Sequence, residues 1–312
     1  YWDKDASPFV FLDQAQPWPV SERVAAVSAF GFGGTNFHAV LSSHDGAAQP
    51  HAAASWPAEL FLFRGAERAT AVAAALRLVR LVRLLAAAGA AAPLPRLRDL
   101  ARSACAAGSG PVQIAIVADS TDDLIAKLEL ARDRAAEPAT APRRPGDAKS
   151  GVYLADEAVR GGAIAFLCPG QGSQKTGMLG DLFIAFPQLR RLLDLGARWA
   201  DRIFPPAAFS PAARAVQAAA LTDTRVAQPA LGIVDLAMAE LLRSLGVEPD
   251  MAAGHSYGEL AALCIAGAIG EADLLALSET RGESILAAAG ADPGTMLAVA
   301  ADPRAVAHLL PR

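Results

Sequence analysis

The sequence predicts an α/β chain, and three observations lead to this assignment. Short apolar runs typical of strands alternate with longer helical segments, which in the last third favours a parallel sheet covered by helices. Of the 312 residues, 53% are hydrophobic and 19% are charged. That composition supplies enough apolar surface for a core and excludes a disordered or fibrous chain. At about 100–200 residues per domain, the length accommodates two domains or parts of three.

Charge and hydropathy exclude two classes of partner. A formal net charge of −4 disfavours a broad cationic face for nucleic acid or anionic lipid. The most apolar long stretch, residues 71–92, is interrupted by Arg77, Arg80 and Arg83, whereas a membrane span needs about 20 consecutive apolar residues. We therefore expect no membrane span and no nucleic-acid partner.

The cysteines are few and lack the spacing of a metal site. They are Cys105, Cys168 and Cys264. Such a sparse, odd-numbered set predicts reduced, buried thiols in a cytoplasmic protein rather than disulfides or a zinc site. The chain begins with Tyr1 and has no signal peptide, so we expect a segment of a longer cytoplasmic protein.

The first predicted segment, residues 1–50, is rich in strands. Apolar runs typical of strands occupy Pro8–Leu12, Arg23–Phe30 and Phe37–Leu41. Three glycines within residues 31–34 indicate a tight connection between the last two strands, because glycine weakens a strand interior.

The second predicted segment, residues 51–161, is a small α/β module. Its pattern is strand, helix, helix, strand, helix, over Glu59–Phe63, Ala66–Ala88, Leu97–Ala107, Val112–Val117 and Ser120–Ala136. A proline-rich stretch follows the last helix and ends the module. Since no group of catalytic residue types occurs here, we expect a structural spacer.

The third predicted segment, residues 162–312, alternates strands and helices. The predicted strands are Ala163–Cys168, Pro249–Ala253 and Met296–Ala300, and the predicted helices are Val226–Leu245, Glu259–Ala268 and Asp273–Ala289. We expect Ala163–Cys168 to be buried and Pro229 to lie in the first turn of its helix, where proline is tolerated.

The sequence Gly-His-Ser-Tyr-Gly at residues 254–258 matches the G-x-S-x-G pattern between a strand and a helix. In that context the serine occupies a strained turn that exposes its hydroxyl. The amide of Tyr257 and the helix N-terminus then face any oxyanion formed at Ser256. Serine hydrolases and acyltransferases share this motif, and alone it also fits a Gly/Ser turn at a helix start.

Two further features accompany the serine motif. The sequence Gly-Gln-Gly-Ser-Gln at residues 170–174 follows a predicted strand, at the end of the sheet where parallel sheets bind ligands. Arg281, followed by Gly282, lies 25 residues after Ser256 on a predicted helix. The planar guanidinium of an arginine binds a carboxylate with two hydrogen bonds.

These motifs, together with Gln228-Pro229-Ala230, occur in the order and approximate spacing of the malonyl-CoA:acyl-carrier-protein transacylase family. The chain thus resembles the N-terminal half of an acyltransferase domain of type I polyketide and fatty acid synthases. The stretches Leu221–Gly232 and 254–260 look closest to iterative synthases of the polyunsaturated-fatty-acid or enediyne kind. Ser28–Val40 resembles the C-terminal end of a β-ketoacyl synthase, and the middle segment resembles the ketosynthase–acyltransferase linker.

The resemblance implies a partial α/β-hydrolase-like core that transfers acyl groups from coenzyme A to the phosphopantetheine of an acyl carrier protein. Ser256 would be the nucleophile that forms a seryl ester. The amides of Gln171 and Tyr257 would form the oxyanion hole, Arg281 would bind the malonyl carboxylate, and Gln228 would line the pocket.

The same resemblance implies lesser roles for three residues. His255 would be a buried neighbour of the nucleophile that contributes to the substrate site, and not its base. In the ketosynthase remnant, the backbone of the loop at Phe32 and Gly33 would help to hold an oxyanion, and Phe32 could gate that pocket. Residues 294–312 would begin a small ferredoxin-like subdomain.

The family's base histidine lies roughly a hundred residues beyond the serine, whereas this chain continues for 56 residues. We therefore expect the chain alone to be inactive or poorly active. The expected partners are a malonyl-type acyl-CoA, an acyl carrier domain and the rest of a homodimeric synthase. We expect no resident cofactor or metal.

Two alternative functions stay open at this point. An α/β serine hydrolase would place an aspartate and a histidine after the serine and would have no use for Arg281. A non-catalytic docking or scaffold segment would need neither Ser256 nor Arg281.

Overall fold

The computed structural model describes residues 7, 9–13, 15–18, 20, 22–44, 56–88, 95–137, 149–155, 162–290, 299–302 and 304. The chain divides into two compact units, one of residues 53–162 and one of residues 1–52 with 163–312. Helices and strands are mixed in the chain, which confirms the α/β class. None of the helices in the described ranges combines the length and hydropathy that a membrane crossing requires.

The unit of residues 53–162 is a three-stranded antiparallel sheet packed against three helices. The strands β3 (Glu59–Arg64), β4 (Val112–Ala118) and β5 (Val152–Leu154) lie in that order. The helices are α1 (Arg68–Ala88), α2 (Leu97–Ala106) and α3 (Thr121–Ala136). The Ser120 hydroxyl accepts a hydrogen bond from the Asp123 amide at 3.2 Å, which caps α3 as its sequence predicts.

The N-terminal residues form a hairpin of β1 (Val24–Ala29) and β2 (Phe37–Ser42), paired antiparallel. Both strands match the prediction closely. The strand predicted at Pro8–Leu12 is wrong, because residues 9–12 are described and form no strand. An apolar run makes a strand only where a partner strand accepts its backbone hydrogen bonds.

The sheet beneath the serine motif consists, within the described residues, of the parallel pair β6 (Ala165–Cys168) and β7 (Met251–Gly254). Their register places Cys168 opposite Gly254, so the two strands end side by side. The prediction that β6 is buried is wrong for one face, where Leu167 is exposed. The strand predicted at Met296–Ala300 and the subdomain predicted at 294–312 fall mainly outside the described residues.

A series of helices surrounds this pair. They are α4 (Gly180–Ala185), α5 (Arg190–Leu195), α6 (Ala197–Ile203), α7 (Pro211–Thr222), α8 (Thr224–Ser244), α9 (Gly258–Ile265) and α10 (Glu271–Ala289). Their shared core includes Leu192, Ile203, Ile233 and Leu274.

The start of α8 differs from the prediction. The Asp223 side chain accepts a hydrogen bond from the Arg225 amide at 3.0 Å and caps the helix there. The helix therefore begins two residues earlier than expected, so the placement of Pro229 in its first turn was wrong and Pro229 lies inside the helix.

All three cysteines are free thiols, as predicted. Only Cys168 is buried, whereas Cys105 and Cys264 are half-buried. The prediction of burial was therefore too general, because alanine-rich neighbours also occur on partly exposed helix faces.

Candidate functional site

The serine motif forms a sharp turn between β7 and α9. Ser256 has a φ of 54°, in the left-handed region that non-glycine residues rarely occupy. The turn is fixed by two backbone hydrogen bonds, from the His255 amide to the Cys168 carbonyl and from the Gly258 amide to the His255 carbonyl, both 3.0 Å long. The strained residue is thus the predicted nucleophile, and its surroundings hold it there.

The glycines at both ends of the motif are required by close backbone packing. A Cβ atom on Gly254 would lie 1.9 Å from the carbonyl carbon of Gly258. A Cβ atom on Gly258 would lie 2.1 Å from the carbonyl oxygen of Cys168. The obstructing atoms are backbone, which cannot rotate away, so a side chain at either position would displace the turn from the sheet.

The side chain of Tyr257 fixes the turn to the helical core. It is fully buried, and its hydroxyl is 2.8 Å from the Ser278 hydroxyl, which itself donates to the Leu274 carbonyl at 2.6 Å. Ser278 must therefore accept from Tyr257. Burial raises the pKa of the phenol well above its ordinary value. A Cβ on Gly232 of α8 would come within 2.4 Å of the phenol oxygen, so that glycine makes room for it.

Two backbone donors beside the serine are available to a ligand. Within the described ranges, neither the Gln171 N–H nor the Tyr257 N–H donates a hydrogen bond. The loop containing Gln171 lies against the serine turn, because a Cβ on Gly170 would be 2.7 Å from both Nδ1 and the carbonyl oxygen of His255. Unpaired N–H groups in such a position suit an oxyanion hole.

Arg281 extends from α10 toward the serine. Its Nη2 lies 3.5 Å from the Ser256 Oγ. The next residue, Gly282, lets α10 approach the start of α8 closely, since a Cβ there would be 3.0 Å from the Thr224 carbonyl oxygen and the Arg225 Cα. The Arg-Gly pair thus brings a cation to the predicted nucleophile, Ser256, and provides the close helix contact that places that cation.

Gln228 lies behind the glycine-rich loop on α8. It is fully buried, and its Nε2 lies 3.4 Å from the Oε1 of Gln171. The structure therefore brings the side chain of Gln228 into contact with Gln171, and that of Arg281 into contact with Ser256.

Three other predicted residues lie elsewhere or differ in exposure. Phe32 is fully exposed on the loop between β1 and β2, and Gly33 has open space around its Cα, so neither contacts the serine turn. His255 is exposed, and the prediction of a buried neighbour was wrong. The imidazole of His255 lies next to Gly170, since a Cβ there would be 2.7 Å from its Nδ1, and it remains exposed to solvent.

A half-buried aspartate, Asp235, lies on α8, and one of its carboxyl oxygens is fully buried. Burial raises the pKa of Asp235 to about 7, and its Oδ2 has no hydrogen-bond partner among the described residues. Burial also raises the pKa of the Cys168 thiol to about 11, and the charge of Asp235 adds to that effect.

Because the folded state favours the protonated carboxyl, Asp235 costs little stability near pH 4 and progressively more as the pH rises to about 7. Asp235→Asn should therefore stabilise the protein by about 2 to 3 kcal/mol more at pH 8 than at pH 5. Chemical denaturation at both pH values measures this difference. Asp201→Asn, at an exposed position of α6, is the control, and an equal gain at both pH values for Asp235→Asn would contradict the burial argument.

Sequence reasoning missed three residues that shape the site. Gly232 and Ser278 accommodate the Tyr257 side chain, and Thr224 Oγ1 accepts a hydrogen bond from Gln171 Nε2 at 3.1 Å. All three act across long separations in sequence. They belong to no recognisable sequence motif, so their contribution to the site is visible only in the packed structure.

Comparison with known proteins matches two regions of the chain to protein families. The acyl transferase domain family matches residues 165–309, and the ketoacyl-synthetase C-terminal extension family matches residues 7–84. Polyketide synthase GfsA of Streptomyces halstedii is 36% identical over 307 residues, which are 95% of this chain and 4% of that protein. The malonyl CoA-acyl carrier protein transacylase of Bacillus subtilis is 38% identical over 136 residues, which are 44% of this chain and 41% of that protein.

The fold is also similar to a solved structure. The acyl transferase domain of ZmaA superimposes with a TM-score of 0.59 and 22% identity, over 75% of this chain and 50% of that one. The family matches and the polyketide synthase relatives confirm the resemblance, drawn from the motifs, to an acyltransferase domain that follows the C-terminal end of a ketosynthase. The chain contains an acyl transferase domain at residues 165–309, preceded by a ketoacyl-synthetase C-terminal extension at residues 7–84, and it is similar to a small part of much longer polyketide synthases.

Proposed function

We propose that this acyl transferase domain moves a malonyl-type acyl group from coenzyme A to the phosphopantetheine thiol of an acyl carrier protein. The observation with the greatest weight is the strained Ser256, whose Oγ lies 3.5 Å from the Arg281 guanidinium. A nucleophile beside a fixed cation suits an acyl group that ends in a carboxylate. The transacylase relative from Bacillus subtilis supports the choice of malonyl donor and carrier acceptor.

The proposed reaction has two ester-exchange steps. Ser256 Oγ attacks the thioester carbonyl, the oxyanion accepts hydrogen bonds from the Gln171 and Tyr257 amides, and coenzyme A leaves as a thiol. The carrier thiol then attacks the seryl ester and releases the serine. The base that takes the serine proton is proposed to be a histidine, and none of the described residues places one in hydrogen-bond contact with Ser256.

The remaining partners follow from the same proposal. The protein needs no resident cofactor, because the acyl-CoA is a substrate and the phosphopantetheine belongs to the carrier. The Phe32–Gly33 loop would serve a ketosynthase pocket and not this one. The parent synthase would be a homodimer.

Transfer and hydrolysis can be separated in one assay. The full-length protein, meaning the parent synthase that contains this chain, is incubated with radiolabelled malonyl-CoA and a phosphopantetheinylated carrier protein. Label on the carrier and free malonate are both measured. We expect loading of the carrier to exceed release of malonate, and Ser256→Ala to abolish loading. Release of malonate at the same rate with or without carrier would instead indicate a hydrolase.

A further inference from the structure

The loop that provides the Gln171 amide has hydrogen bonds from the Gly172 N–H to Gln174 Oε1 at 2.7 Å and from the Ser173 hydroxyl to the Gly170 carbonyl at 2.8 Å, and neither bond involves Gln171 itself. Gln171 lies between two glycines, and Gly172 has a φ of 112°. Glycine leaves the backbone free to adopt many conformations. An amide that must meet an oxyanion within a few tenths of an ångström therefore needs an anchor, and the side chain of Gln171 is the one non-glycine side chain of this tripeptide.

Both the nitrogen and the oxygen of the Gln171 side-chain amide make hydrogen bonds. Its Nε2 lies 3.1 Å from Thr224 Oγ1 and 3.5 Å from the Thr222 carbonyl oxygen. Its Oε1 lies 3.4 Å from Gln228 Nε2. Gln228 is fully buried on α8, so this partner is itself fixed by core packing.

The Thr222 carbonyl sets the direction of these hydrogen bonds. The Thr222 carbonyl can only accept, so the Gln171 group facing it and Thr224 is the donating NH₂. The Gln171 oxygen then faces Gln228 and accepts from its NH₂. In this orientation the Gln228 oxygen is buried, with no partner among the described residues.

Thr224 also lies where the two functional elements meet. It is the first residue of α8, and its carbonyl oxygen would be 3.0 Å from a Cβ on Gly282, the residue after Arg281. One residue therefore contacts both the glycine-rich loop and the helix that presents the cation.

We propose that Thr224 is a positioning residue, whose hydroxyl oxygen anchors the Gln171 side chain and thereby holds the Gln171 main-chain N–H toward the oxyanion. This inference rests on the proposed function of Ser256 and extends it to a residue that contacts neither substrate nor nucleophile. The hydroxyl acts only as an acceptor for Gln171, so any side chain with an oxygen at that position should suffice.

Steady-state malonyl transfer by the full-length protein tests the proposal. Thr224→Val removes the acceptor and keeps the shape of the side chain, and we expect kcat to fall about 10- to 100-fold with KM within about twofold. Thr224→Ser should restore kcat to within about threefold. Thr280→Val is the matched control, since the Thr280 hydroxyl is bonded within its own helix to the Ala276 carbonyl at 3.0 Å, and it should leave kcat unchanged.

A second variant guards against loss of folding. Gln171→Met keeps the main-chain N–H and the side-chain length, and we expect the same fall in kcat. Combined with Thr224→Val it should cause little further loss, because both changes break one anchor. Unchanged kcat in either single variant, or equal impairment by Thr224→Ser and Thr224→Val, would overturn the proposal. If the wild-type protein shows no Ser256-dependent transfer, the proposed function itself fails.

Discussion

Gly258→Ala is expected to abolish acylation of Ser256 and to lower the free energy of unfolding by more than about 3 kcal/mol. The added methyl would lie 2.1 Å from the Cys168 carbonyl oxygen and 2.8 Å from that of Pro169. These backbone atoms belong to β6 and the loop after it, so relief requires the serine turn to move away from the sheet. Chemical denaturation and malonyl labelling measure the two effects.

Gly267→Ala separates steric conflict from backbone strain. Gly267 has a φ of 79° but open space around its Cα, so alanine there costs only about 1 kcal/mol. Labelling of Ser256 should continue in this variant. Equal effects of the Gly258 and Gly267 substitutions would contradict the packing argument.

Arg281→Ala is expected to remove the preference for dicarboxylic acyl groups. We expect kcat/KM for malonyl-CoA to fall by about 10²–10³, equivalent to about 3 to 4 kcal/mol for a charge-assisted pair in a half-buried site. The value for acetyl-CoA should change by less than about threefold, because the acetyl group has no carboxylate to pair. Competition between the two thioesters measures the change in preference.

Arg225→Ala is the matched control for Arg281. Arg225 lies beside Gly282 but directs its guanidinium to Asp223, with an Nη2–Oδ2 distance of 2.6 Å. Its removal should leave the malonyl preference intact. An equal loss of preference in both variants would show that general positive charge, and not the Arg281 contact, selects the acyl group.

The positions of the main elements were predictable because their signals are local. The strand at Val112–Ala118 and the capped helix after Ser120 follow from apolar runs and a capping residue. The strand at Val152–Leu154 was not predictable, because three residues acquire strand structure only by pairing with Ile114–Ile116.

The glycines and serine of the site were also predictable, since the motif spacing encodes the turn itself. The interaction of Gln171 with Thr224 was not, because 53 residues separate them. The same holds for Gly232, whose missing side chain matters only because the Tyr257 hydroxyl occupies that space. Local sequence thus predicts the proposed nucleophile, Ser256. The residues around it, such as Thr224 and Gly232, come together only when the helices pack, so their roles cannot be predicted from local sequence.

The most direct measurement is peptide mass spectrometry of the full-length protein, quenched after brief exposure to malonyl-CoA without carrier protein. We expect a single malonyl ester on the peptide that contains Ser256, and none in Ser256→Ala. A malonyl group on a different residue, or one that persists in Ser256→Ala, would contradict the assignment of Ser256 as the nucleophile.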